Sequence, residues 1–239
     1  MNELHLTTNP THNPRVFDTC WMTGLERKGR IQITVPNLDD ARTAAELAAM
    51  EHLLTKMNVC GHNKAGAGLV IHASCSAILD LMNGVSPHGY LAPYVNFLRT
   101  RFFGATVQIC EAPFVWADER CEAQVTYMEV EEPAVTVIDV AGVGEVELTA
   151  HAVEKYVNRF ERQPVKAWRE LIRIAREVKP AVLEGRKVLH DIKHRRPGRY
   201  VVDERRSVMF VIAEPDSVGK MPRLVTVVRP EANVRVAAG

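Results

Sequence analysis

The segment ARTAAELAAMEHLL (41–54) sets a carboxylate inside the apolar stripe of a helix, and few folds tolerate that. Ala44, Leu47, Ala48, Glu51 and Leu54 recur at spacings of three and four, and so do Ala49, Met50 and Leu53. Glu46 belongs to the second set, with apolar residues three, four and seven positions on. A carboxylate on a buried helix face costs free energy unless hydrogen-bond donors, a cation or a metal meets it. The fold must therefore bring a partner to Glu46.

The flanking segments predict alternating strands and helices. RVFDTCW (15–21) reads as a short buried strand between Asn13-Pro14 and Gly24, with residues 1–14 as a tail ahead of it. RIQITV (30–35) alternates and is β-branched, so it reads as a strand. Pro36, Asn37 and Asp39-Asp40 then open the helix that carries Glu46. The glycine-rich CGHNKAGAG (60–68) leads into a strand, LVIHA (69–73). Helices are predicted at SAILDLM (76–82) and YVNFLRTRF (94–102), a strand at ATVQIC (105–110) and a helix at WADERCEAQVTYM (116–128).

This order, over roughly residues 15–129, resembles the ribonuclease H type 1 family. Three pieces carry the resemblance. VFDTCW is similar to the first strand with its metal-binding Asp, AAELAAMEHL to the helix with an inward Glu, and DERCEAQ to a late acidic helix. The resemblance implies a mixed sheet flanked by helices, and a site of Asp18, Glu46 and Glu122 holding Mg²⁺ or Mn²⁺, with Asp118 one turn before Glu122. Two-metal phosphodiester cleavage needs hard oxygen ligands from separate elements to converge on one point. The chain departs from the family pattern at Ser74, where an Asp is expected. Asp80 lies further along the next helix, and His72 shares the strand face of Ser74 as a candidate to approach a metal.

The second half begins after PAVTVIDVAGVGEVE (133–147), which is strand-like and glycine-punctuated. Thr149 is a candidate N-cap for AHAVEKYVNRFERQ, and Pro164 starts a second helix, VKAWRELIRIAREV. Three alternating strands follow at 199–204, 206–214 and 223–230. A strand, two helices and an antiparallel meander resemble the RelE/ParE toxin-like group of the barnase–colicin–RelE superfamily. The resemblance implies a small basic α+β domain over about 146–239 with two helices on an antiparallel sheet. Some members of that group cut RNA without metal, moving protons with His, Lys, Arg and Tyr. His151, Lys155, Arg159, His194, Arg195, Arg196, Tyr200 and Arg223 are the residues of those types here.

Charge separates the two halves. Residues 1–150 hold 10 Lys and Arg against 18 Asp and Glu, a net of −8, whereas residues 151–239 hold 20 against 11, a net of +9. A basic module of this kind is a candidate for RNA or RNA–DNA hybrid, and the alternative is a basic surface that docks on its acidic neighbour. Lys193, His194, Arg195, Arg196, Arg199 and Tyr200, with His151, Lys155 and Arg159, are the nucleic-acid-binding candidates. A mean hydropathy of −0.11 and no apolar run near the ~18 residues of a membrane span point to a soluble chain. Five cysteines without a CxxC pair suit a reducing cytoplasm rather than a disulfide framework, and no signal peptide is visible. Three functions follow: a metal-dependent ribonuclease H-like nuclease whose basic domain holds its substrate, a metal-independent toxin-like endoribonuclease restrained by the acidic half, or a nucleic-acid-binding protein built on decayed nuclease folds.

Overall fold

The computed structural model describes residues 2–24, 27–61, 63, 65–110, 125–183, 198–215, 217–230 and 234–236. They form two compact units, Met1–Ala134 and Val135–Gly239, each built on one mixed sheet. Among the described residues there are five α-helices, and none is long and apolar enough to cross a membrane.

The first unit opens with β1 (Asn2–Pro10), β2 (Val16–Thr23) and β3 (Lys28–Thr34), an antiparallel meander. Residues 2–10, expected as a tail, are thus a strand, and an interior one. Leu4 and Leu6 alternate with His5 and are fully buried, so two leucines suffice to seat NELHLTTNP between neighbours. Helix α1 (Ala41–Thr55) crosses the sheet, capped where the Asp40 carboxylate accepts from the Thr43 amide at 3.4 Å. β4 (Leu69–Ala73) then lies parallel to β1. Helices α2 (Ala77–Asn83) and α3 (Ala92–Arg99) lead to β5 (Thr106–Ile109), parallel to β4.

β6 (Val125–Glu129) pairs parallel with β3 at the far edge. Residues 125–128, expected as the end of a helix over 116–128, are strand instead, the β-rich VTYM pairing with the β3 edge. Residues 116–124 lie outside the described residues. The finished order, β5-β4-β1-β2-β3-β6, with α1 as the crossover, is compatible with a ribonuclease H-like α/β fold.

One face of this sheet carries the core. Leu4, Leu6, Phe17, Ile31, Ile33, Leu69 and Ile71 meet Ala44, Ala45, Leu47, Ala49, Met50 and Leu53 of α1. The alanines let the helix lie close to the strands. At Gly29 a Cβ would stand 2.8 Å from the Trp21 indole nitrogen across the β2–β3 ladder, so only glycine admits that ring.

The second unit contains β7 (Val137–Val140), β8 (Gly144–Leu148), α4 (Ala150–Phe160), α5 (Pro164–Glu177), β9 (Lys179–Leu183), β10 (Gly198–Asp203), β11 (Val208–Ala213), β12 (Arg223–Val228) and β13 (Val234–Val236). Its sheet order is β13-β9-β10-β11-β12-β8-β7. The expected antiparallel sheet is mixed instead, because β8 and β12 run parallel. Two helices return the chain antiparallel to β8, and three successive antiparallel pairings, β9–β10, β10–β11 and β11–β12, then leave β12 pointing the same way as β8. Thr149 caps α4, accepting from the Ala152 amide at 3.2 Å and donating to the Leu224 carbonyl at 2.7 Å.

Candidate functional site

Glu46 is fully buried at the C-terminal end of β4. The Ser74 amide donates to its Oε1 at 2.5 Å, the Ser74 hydroxyl to its Oε2 at 2.5 Å, and the Cys75 thiol to Oε2 at 3.1 Å. Arg42, one turn earlier on α1, donates to the Ser74 Oγ at 3.3 Å and to the Thr8 carbonyl at 2.8 Å. The Thr8 amide also reaches Ser74 Oγ, at 3.1 Å, and the Thr8 and Thr19 hydroxyls bond at 2.9 Å. Burial and the Glu46 carboxylate push the Cys75 thiol up to about 12, so it keeps its proton and remains a donor. The cluster ties α1, β1, β2 and the end of β4 together.

Among the described residues, the partners that meet Glu46 are hydrogen-bond donors of its own chain. Asp18 sits on β2 opposite Asn9 and Gln32, while Thr19, its neighbour, pairs with Thr8 on the α1 side. Alternation along the strand therefore sends Asp18 to the opposite face of the sheet from Glu46. There Arg30 forms an ion pair with it and the Gln32 amide donates to it at 3.2 Å. The first strand of the sheet is β1, not the strand with Asp18, and β1 carries no Asp. Ser74 fills the position where the resemblance implies a second Asp, and its hydroxyl serves as a hydrogen-bond relay. His72, expected beside Ser74, turns to the other face because Ser74 lies beyond the last strand residue. Asp80 is exposed on α2.

A hard divalent cation needs several carboxylate oxygens on one point. Among the described residues only Glu46 offers them here, and its oxygens are already engaged. The described donors by themselves do not fit the Mg²⁺ or Mn²⁺ pair. Glu122 and Asp118 lie outside the described residues.

In the second unit, among the described residues, three of the expected nucleic-acid contacts, Arg159, Arg199 and Tyr200, are engaged in holding the fold. Tyr200 is buried in a cluster with Val202, Met209 and Val211, so its ring is unavailable to stack on a base. Arg199 pairs with Glu214, and Arg223 with Glu147 at 3.0 Å. Arg159 donates to the Val227 carbonyl at 2.7 Å and to Thr226 Oγ1 at 3.3 Å, joining α4 to β12. His151 is exposed and Lys155 half-buried on α4. Lys193, His194, Arg195 and Arg196 lie outside the described residues.

A different basic surface emerges on α5. Ala167, Leu171, Ile174 and Ala175 bury one side of this helix. Lys166, Arg169, Arg173 and Arg176 recur at spacings of three, four and three, and all four are exposed. Among the described residues none of the four forms an ion pair. At ~1.5 Å per residue the row spans about 15 Å. The helix dipole favours cations only near the C-terminus, which suits Arg173 and Arg176 but disfavours Lys166 and Arg169 in the first turns. Helix stability therefore does not account for the whole row. The signal was present in the sequence as a seven-residue period of Lys and Arg opposite the apolar period.

No family model matches the chain, and no curated protein matches it. Among solved structures, the ribonuclease H1 of the halophilic archaeon Halobacterium salinarum NRC-1 is similar at 12% identity and a TM-score of 0.32. That likeness covers 55% of this chain and 85% of the other.

Proposed function

We propose that this chain binds RNA or RNA–DNA hybrid through the cationic face of α5, and that its ribonuclease H-like unit is a scaffold that does not cut. The observation that carries the reading is the exposed row Lys166, Arg169, Arg173 and Arg176, set on one side of a helix whose other side is buried. Lys and Arg aligned over about three turns suit successive backbone phosphates, and phosphate contacts give affinity without sequence preference. Glu46, whose oxygens are engaged by Ser74 and Cys75, and Asp18, which faces away from it, support a unit that does not cut.

Filter binding of the full-length protein to an RNA strand and to an RNA–DNA hybrid over a salt series tests this. Four contacts on a single strand give a slope of about −2.8 in log affinity against log salt, at ~0.7 per contact. Replacing Arg169 and Arg173 with Ala flattens that slope by about 1.4. No binding at low salt, or binding indifferent to those substitutions, overturns the reading. Cleavage that needs Mg²⁺ and disappears in EDTA would restore the metal-dependent nuclease, with Glu122 and Asp118 as the acids to replace first. Cleavage that persists in EDTA would instead restore the toxin-like endoribonuclease.

A further inference from the structure

The face of the first sheet that carries Asp18 also carries Glu3, His5 and His72. β1 and β4 run parallel with His5 directly opposite His72, and the two imidazoles stack with centroids 4.2 Å apart and planes 3° from parallel. Glu3 precedes His5 by two residues, hence on the same face, and its Oε2 lies 3.5 Å from His5 Nε2. One ligand atom from each of the three falls within 4.8 Å of the others. Cys110 follows β5 and places its Sγ 3.6 Å from His72 Nδ1. Two imidazoles, a carboxylate and a thiol thus come from three adjacent strands.

We propose that Glu3, His5, His72 and Cys110 bind one Zn²⁺ as a closed, structural tetrahedral site. The donor chemistry selects the metal: nitrogen and sulfur donors with a single carboxylate suit Zn²⁺ and suit Mg²⁺ poorly. Bonds of ~2.0–2.3 Å put neighbouring donors of a tetrahedron about 3.3–3.7 Å apart, so the Glu3, His5 and His72 atoms, within 4.8 Å of one another, close up by roughly 1 Å. Cys110 joins them from the His72 side, where its Sγ already stands 3.6 Å from Nδ1. Both rings are half-buried side chains at a strand surface, and rotation about their Cβ–Cγ bonds converts the stack into convergent nitrogens. Four protein ligands leave no open position for substrate, which makes the site a staple for β1, β4 and β5 rather than a catalytic centre. On binding, Cys110 gives up its thiol proton to solvent and both imidazoles coordinate in their neutral form. Burial and the neighbouring His5 already favour neutral His72. The site is independent of the nucleic-acid reading, since it lies in the other unit.

The test is Co²⁺ titration of the full-length protein, chelator-treated and kept reduced, followed by displacement with Zn²⁺. The expected result is one equivalent of Co²⁺ with the intense visible bands of tetrahedral coordination and a near-ultraviolet thiolate charge-transfer band, both removed by Zn²⁺. His72→Asn and His5→Asn abolish the visible bands, and far-ultraviolet circular dichroism verifies that each variant is folded. Cys110→Ser abolishes the charge-transfer band alone, whereas Cys60→Ser, at a distant loop cysteine, leaves the spectrum intact. Weak octahedral bands, or tetrahedral bands that survive both His72→Asn and His5→Asn, overturn the proposal. Should both His variants unfold, Glu3→Gln decides by weakening Co²⁺ at least tenfold, and an unchanged affinity there overturns it.

Discussion

The buried carboxylate of α1 and the exposed cationic row of α5 are both polar features on otherwise amphipathic helices, yet they end in opposite states. Glu46 has every oxygen engaged by Ser74 and Cys75, with Arg42 close behind Ser74. Lys166, Arg169, Arg173 and Arg176 stand in solvent. A polar group whose capacity is used up by its own chain holds structure; one whose capacity is left open is available to a partner. The comparison is the reason the proposed binding face is set on α5 rather than at Glu46.

Removing the engaged group sharpens the comparison most. Glu46→Ala leaves the Ser74 amide, the Ser74 hydroxyl and the Cys75 thiol buried without an acceptor. Hydrogen bonds to a buried charged group are worth ~1.5–3 kcal/mol each and are not additive, so the expected loss is about 3 kcal/mol in urea unfolding. Glu46→Gln retains one acceptor and loses about half of that. Nucleic-acid affinity stays unchanged in both. A Glu46→Ala protein as stable as the wild type, or one that stops binding RNA while still folded, would break the assignment of Glu46 to structure.

Charge reversal on α5 gives the next largest effect, and on binding rather than folding. A slope of ~0.7 per contact corresponds to about fivefold in affinity per contact at 0.1 M salt, so losing two contacts in Arg169→Glu with Arg173→Glu costs roughly 25-fold. Surface substitutions of this kind change stability by only about 0.5 kcal/mol. Equal RNA affinity of variant and parent at 0.1 M salt would return the basic unit to the role of a docking surface.

What was legible in the sequence follows from the same distinction. The apolar stripe around Glu46 fixes its inward direction, because eight other buried residues on α1 share its side of the helix. The face that Asp18 takes is hard to read because the pattern hides a strand: β1 has two leucines among polar residues, and without it the strand count shifts by one. Which face a strand residue takes depends on a single step of parity, and Asp18 lies between Phe17 and Thr19, which both face α1. The row on α5 was readable as a period of seven, but it is less conspicuous in the letters than the run KHRRPGR. Clustering in sequence is seen at once; clustering on a helix face shows only when the period is counted. Tyr200 illustrates the converse, a residue beside a basic run that strand alternation buries.

Asp18 supplies a smaller test of the two sheet faces. Its pair with Arg30 is part-exposed, with side-chain accessibilities of 20% and 35%, so Asp18→Ala costs about 0.5–1 kcal/mol, well below Glu46→Ala. Under the metal-cluster alternative, Asp18→Asn would instead relieve repulsion and stabilise the protein without Mg²⁺. Urea midpoints of the two Asp18 variants, with and without Mg²⁺, separate these outcomes by sign.

The smallest effect is a pH dependence at the open face of the sheet. Burial, and next the charge of His5, hold His72 below its ordinary value of 6.5, while Glu3 opposes them. Cys110 and the stacked His5 ring are the other groups against it. An unfolded chain protonates this imidazole near 6.5, whereas the folded one does so only at lower pH. Below about 6.5 the unfolded state therefore binds more protons, and stability falls as pH falls toward the folded value. His52 is shifted the same way by burial and adds to the trend. His72→Asn removes one of the two contributions, so its urea midpoint should decline less than the wild type's between pH 7.5 and 5.5. The comparison is made in EDTA, because a bound metal would also hold the imidazoles neutral and steepen the wild-type curve. Parallel curves for the two proteins would mean that the folded His72 takes up its proton as readily as the unfolded one, contrary to its half-buried place against His5.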